Sequence, residues 1–127
     1  MAPRVLVVDD HDDARELLAV IVEADGYVVT TAANGRLAVE EARRARPDII
    51  IMDLFMPEMD GYEAARILKS DPALAAVPIL AYTARSSPAD IDSGLFADCC
   101  VKPCPPDQLL RTVARILNGR QRRQDTL

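Results

Sequence analysis

Five short apolar runs recur along the chain, separated by stretches with helical spacing, and each run closes on polar side chains or a turn. Val5-Leu6-Val7-Val8 stops at Asp9-Asp10. A continuous β-branched run without polar alternation belongs to a strand covered on both faces. Tyr27-Val28-Val29-Thr30-Thr31 comes next, closed by the turn pair Asn34-Gly35. Ile49-Ile50-Ile51-Met52, the most apolar segment and therefore central, ends at Asp53. Val77-Pro78-Ile79-Leu80-Ala81-Tyr82 ends at Thr83, and the weaker Asp98-Cys99-Cys100-Val101 ends at Lys102-Pro103.

The intervening stretches read as helices. Ala14, Leu17, Leu18, Ile21 and Val22 share one face before Gly26, and Leu37, Ala38, Val39, Ala42 and Ala45 share another before Pro47. Tyr62, Ala65, Ile67 and Leu68 precede Pro72. A last helix starts at Pro106-Asp107 and carries Leu109, Leu110, Val113, Ile116 and Leu117 on one side. Strand and helix alternating through short links predict an α/β fold: a doubly wound, five-stranded parallel sheet with helices on both faces. No sequence period repeats, which excludes a solenoid.

Composition narrows the function. The 127 residues suit one domain, and half of them are apolar, enough for an ordinary core. A net charge of -5 argues against nucleic acid or an anionic membrane as partner, because both demand a basic surface. Aromatics at 4% leave little for stacking on bases. Residues 119–127 are the exception, with three arginines against one aspartate. A helix stop at Asn118-Gly119 would make this segment a basic, disordered tail or the start of a linker. The first ten residues already carry charge, unlike a signal or transit peptide, and no run approaches the ~18–20 apolar residues of a membrane span. Cys99, Cys100 and Cys104 are odd in number, and neighbours on a strand point to opposite faces. Reduced thiols in a cytoplasmic setting, acting as small apolar fillers, are the expectation.

In a doubly wound sheet the ligand site lies beyond the carboxyl ends of the strands. Asp9, Asp10, Asp53, Thr83 and Lys102 all stand there. Three carboxylates on one rim repel one another unless a cation sits among them, and oxygen donors without paired His or Cys favour Mg2+ over zinc. A carboxylate can also accept a phosphoryl group, whose oxygens an ammonium and a hydroxyl would then bind. As the bland alternative, Asp9-Asp10 would be helix-capping acids, but capping explains one acid and not a pair closing a buried strand. His11, the only histidine, has no partner in sequence and is read as an exposed first-turn residue.

At VLVVDD, DIIIMDLFMPEMDG, PILAYTA and VKP, in that order over residues 4–118, the chain resembles the receiver domain of two-component response regulators, of the chemotaxis-regulator type. The resemblance implies a flavodoxin-like strand order 2-1-3-4-5. It implies Asp53 as the phosphoacceptor and Mg2+ bound by Asp10, Asp53 and the backbone carbonyl of Phe55, with Asp9 acting through a metal-bound water. Lys102, before a cis Pro103, would pair with the phosphoryl oxygen, and Thr83 would move to bind it, with the small Ala84 leaving access for the donor. The implied partners are a histidine kinase or histidine phosphotransfer protein and an unknown output protein. The implied assembly is a monomer or weak dimer, and the only chemistry is the domain's own phosphorylation and dephosphorylation.

Three departures qualify the match. Cys99 stands where receivers usually carry a Tyr or Phe that moves with the threonine. Thr83 and Lys102 are nineteen positions apart. That is about three fewer than is usual, close to one helical turn of ~3.6 residues, and predicts a short or irregular fourth helix in SSPADIDSGLF. Phe55 and Arg85, each two positions beyond Asp53 and Thr83, would shield an acyl phosphate and prolong it. The first departure sustains an alternative, a phosphorylation-independent receiver that serves as a protein-binding module. An aspartyl-phosphate phosphatase would want a second acid where Phe55 stands, and a flavin carrier would want a phosphate-binding loop after the first strand.

Overall fold

A computed structural model of the chain describes residues 2–84 and 94–125, with side chains to residue 119. Five strands, β1 (Arg4–Val8), β2 (Val28–Ala32), β3 (Ile49–Met52), β4 (Ile79–Thr83) and β5 (Asp98–Val101), form one parallel sheet in the order β2-β1-β3-β4-β5. Helices α1 (Asp12–Ala24), α2 (Gly35–Ala45), α3 (Gly61–Ser70) and α4 (Pro106–Asp125) cover it. The expected topology is the one observed.

Strand alternation divides the core in two. Leu6, Val8, Ile50, Met52, Ile79 and Ala81 face α2 and α3, where they meet Ala38, Val39, Ala64, Ala65 and Leu68. Val5, Val7, Ile49, Ile51 and Leu80 face the other way, onto Leu18 and Val22 of α1 and Leu109 and Val113 of α4. Both layers bury side chains completely, so Val5–Val8 of β1 and all of β3 present no polar face, as their unbroken apolar runs require.

Local chemistry explains the boundaries. The Asn34 side chain accepts the Leu37 N–H at 2.8 Å to cap α2, and Asp60 accepts the Glu63 N–H at 2.9 Å to cap α3. β4 begins at Ile79 and not at Val77, because Pro78 has no N–H for the ladder, although its carbonyl still accepts from Ile50 at 3.0 Å. The stop expected at Asn118-Gly119 is not where the last helix ends. α4 runs on to Asp125, so most of segment 119–127 has helical backbone. Gly119 does not take the positive φ that ends a helix, and the Arg and Gln that follow are good helix formers. The helix expected between β4 and β5, and Arg85 with it, lie outside the described residues.

Candidate functional site

The sheet order places the ends of β1 and β3 side by side, with Val8 in register with Met52. The next residue on each strand is therefore delivered to the same rim. The Asp53 N–H donates to the Val8 carbonyl at 3.0 Å and the Asp9 N–H to that of Ala32 at 3.3 Å. On the other side, the Lys102 N–H donates to the Thr83 carbonyl at 2.8 Å. Asp9, Asp53 and Thr83 are the buried polar residues of the described structure, at 1%, 5% and 0% exposure. Four strand ends, those of β1, β3, β4 and β5, thus bring Asp9, Asp10, Asp53, Thr83 and Lys102 to one edge of the sheet, as the sequence predicts.

The ammonium of Lys102 links two of the acids. It donates to Asp9 Oδ2 at 3.1 Å and to Asp53 Oδ2 at 3.4 Å. Burial alone would lower its pKa, but the charges and hydrogen bonds of Asp53 and Asp9 outweigh that and raise it. It also stands 5.0 Å from the centroid of the Tyr82 ring, within cation–π range. The Lys102–Pro103 peptide bond is cis. The second oxygen of each acid is held by backbone: Asp9 Oδ1 accepts the His11 N–H at 2.9 Å, and Asp53 Oδ1 accepts the Phe55 N–H at 3.2 Å. Phe55 therefore has its backbone at the rim, while its half-exposed ring stands edge-on to Tyr62, which in turn stands edge-on to Phe96.

Among the described residues, two buried polar atoms are left over. Asp10 Oδ1 and Thr83 Oγ1 are buried and make no hydrogen bond, although His11 Nδ1 lies 3.3 Å from the former. Ligand atoms from Asp9, Asp10, His11 and Asp53 lie within 4.8 Å of one another. Three carboxylates crowd there, of which Asp9 and Asp53 share the Lys102 ammonium, and a buried carboxylate oxygen without a donor, as on Asp10, is suited to coordinate a cation. The donor set, hard oxygens with one imidazole at the margin, fits a small divalent cation such as Mg2+.

Sequence reasoning missed two contributors. His11, assigned no role, has its ring nitrogen 3.4 Å from Asp9 Oδ1 and its backbone on the same oxygen; its place in DDHDD was the available signal. Gly61 packs against the strand end itself. A Cβ there would sit 2.4 Å from the Asp53 carbonyl oxygen and 2.8 Å from Leu54 Cα, so only glycine lets α3 begin where it does. Gly61 also donates its N–H to the Leu54 carbonyl at 2.9 Å.

The family model for the response regulator receiver domain matches residues 5–114. The DNA-binding response regulator MtrA of Mycobacterium tuberculosis is 34% identical over 128 residues, covering 98% of this chain but 53% of that protein. The chain thus spans about half the length of such relatives. The protein PilH of Pseudomonas aeruginosa is 33% identical over 119 residues, covering 91% of this chain and 98% of the relative. Among solved structures, the chemotaxis protein CheY4 of Vibrio cholerae superposes with a TM-score of 0.85 at 35% identity, over 91% of this chain and 98% of that one. The receiver domain of sensor histidine kinase PA1611 from Pseudomonas aeruginosa superposes at 0.84 and 30% identity, over 93% and 99%. In that structure a magnesium ion is coordinated in the active-site cleft.

Proposed function

The chain belongs to the response regulator receiver domain family, and from that premise we propose that Asp53 accepts a phosphoryl group from a phosphohistidine on a histidine kinase or histidine phosphotransfer protein, with Mg2+ at the acidic rim. The modified domain then alters its binding to an output protein. The observation that carries this reading is the Lys102 ammonium placed 3.1 Å from Asp9 and 3.4 Å from Asp53, beside two buried oxygens that have no partner.

Asp10 and Asp53, with the Phe55 carbonyl, would hold the cation, and Asp9 would act through a bound water. When bound, the cation neutralises charge on the transferring phosphoryl oxygens. An Asp53 carboxylate oxygen attacks phosphorus. A new O–P bond forms as the N–P bond to the donor imidazole breaks, and the imidazole takes up a proton as it leaves. The Phe55 N–H holds the other Asp53 oxygen and fixes the carboxylate plane. Lys102 is within reach of the phosphoryl oxygens, and the Thr83 hydroxyl, buried without a partner, gains an acceptor only when they arrive. Water later attacks the acyl phosphate, releasing inorganic phosphate and restoring the carboxylate. Residues 1–118 form the receiver in this reading, and 119–127 extend it.

A small phosphodonor with Mg2+ should label the protein at one site, and Asp53→Asn should lose the label. Equal labelling of the variant would refute the assignment. A second reading keeps the fold but not the switch. Cys99, half-buried at the start of β5, supplies no ring to follow Thr83, which favours a domain that binds partners irrespective of phosphorylation.

A further inference from the structure

His11 is the single histidine of the chain and follows directly on the two acids that close β1. It stands where a residue would cap α1, yet its side chain makes no capping hydrogen bond. The ring turns instead toward the rim, with Nδ1 3.4 Å from Asp9 Oδ1 and 3.3 Å from Asp10 Oδ1. Lys102 serves the other oxygen of Asp9, and Asp10 Oδ1 is buried and accepts no hydrogen bond even from this ring. His11 Nδ1 and Asp10 Oδ1 thus lie close without bonding to each other. Two donors on a shared octahedral ion, each ~2.1 Å from it, stand about 3.0 Å apart when adjacent and about 4.2 Å apart when opposite. The atoms offered by Asp9, Asp10, His11 and Asp53 lie within 4.8 Å of one another, so a small contraction gathers them round one ion. An imidazole with its proton on Nε2 has a lone pair to give at Nδ1. The ring is 75% exposed, which leaves it room for that adjustment.

We propose that His11 Nδ1 is a ligand of the rim cation, and that this nitrogen makes an oxygen site suited to Mg2+ favour a first-row transition dication of the Co2+ and Ni2+ class. The inference rests on the reading of the rim as a cation site. Mg2+ is hard and prefers carboxylate oxygen and water, so an imidazole adds little to its binding. Later first-row ions accept nitrogen readily, and affinity for a mixed nitrogen and oxygen set rises from Mn2+ through Co2+ to Ni2+. Asp10 and Asp53 would supply the same oxygens to either class of ion, and His11 sets the choice between them. The plain rival is an imidazole that only donates a hydrogen bond or charge to Asp9 and Asp10. That rival makes every cation depend on His11 alike, whereas a ligand confines the dependence to ions that accept nitrogen.

The whole, untagged chain is titrated with Co2+ or with Mg2+ at neutral pH, followed at the amide signals of the rim residues. This readout counts only ions bound at the rim and none held by the cysteines. His11→Ala should weaken Co2+ binding by about tenfold or more, and Mg2+ binding by no more than about twofold. His11→Gln, which keeps a hydrogen-bond donor but is a poor ligand for Co2+, should behave like His11→Ala. Because the chain has one histidine, wild type loaded with Co2+ should show one set of paramagnetically shifted ring signals, absent from both variants. Equal Co2+ affinity in wild type and His11→Ala, a loss as large for Mg2+ as for Co2+, or no shifted ring signals overturns the assignment of His11. In each of those outcomes the rim still binds a cation, so the reading of the site stands. Rim amide signals that neither ion moves in the wild type defeat the cation site and the His11 ligand together.

Discussion

The acidic rim is a place where single residues oppose the fold. Asp9 and Asp53, both almost fully buried, share one ammonium, with Asp10 beside them. Neutralising one acid relieves like-charge repulsion and desolvation together, so Asp53→Asn should raise stability by about 1 kcal/mol in metal-free buffer, even as it abolishes labelling. Lys102→Met has the opposite sign. It strips the charge partner from Asp9, and with a quarter of the lysine side chain exposed the loss should be about 1–2 kcal/mol. Because Lys102 has a raised pKa in the folded state, its contribution is complete below the unfolded lysine value of about 10.4 and fades as pH rises through the folded one. Mg2+ should raise the thermal midpoint of the wild type and do much less for Asp53→Asn. Urea titrations with and without Mg2+ check all three, and a less stable Asp53→Asn would sink the charge account. These residues were legible in the sequence because an acid or a lysine directly after a buried run has one place to go. His11 was not, since its role depends on a turn that folds its ring back over Asp9 and Asp10.

Elements differ in what a glycine does for them, and spacing alone does not reveal it. Gly61 at the start of α3 has the Asp53 carbonyl oxygen 2.4 Å from where a Cβ would be, and the blocking atoms are backbone, so they cannot swing aside. Gly61→Ala should cost about 2–3 kcal/mol and push the Asp53 strand end out of place, lowering the urea midpoint and the labelling rate together. Gly119 has nothing within 4 Å of its would-be Cβ and sits inside α4 with ordinary backbone. Gly119→Ala should therefore add about 0.5–1 kcal/mol to that helix, seen as slower amide exchange from Ile116 onward. A Gly119→Ala variant with faster exchange there would contradict the continuous helix. Sequence reading took Gly119 for a stop because Asn-Gly after an apolar face is the usual mark of one. What decides between stop and continuation is the sign of φ, which the amino-acid type does not specify. The ends of α2 and α3 were readable because Pro47, Pro72 and the Asn34 and Asp60 caps act through local geometry.

At the scale of the molecule, the sheet separates the two ways in which the rim can speak to the surface. Tyr82 touches Lys102 and belongs to the α1/α4 side of the core, while the Phe55–Tyr62–Phe96 ring series belongs to the α2/α3 side and ends just before β5. Cys99 lies on that second side as well, where it replaces the aromatic residue that usually follows the threonine. A phosphate mimic at Asp53 meets Phe55 first, because the Phe55 N–H already holds Asp53 Oδ1. Edge-to-face rings at 6.3 and 5.9 Å are close enough that a shift of the first displaces the next. With beryllofluoride and Mg2+, the amide and ring signals of Tyr62 and Phe96 should move together with those of Phe55, and Tyr62→Leu should confine the change to Phe55 and the rim. Spectra in which Tyr62 and Phe96 stay still, while Asp53 and Lys102 shift, would mean that the rim binds phosphate without telling the surface. In that event Cys99 has cost the domain its switch, and the phosphorylation-independent binding module becomes the better description.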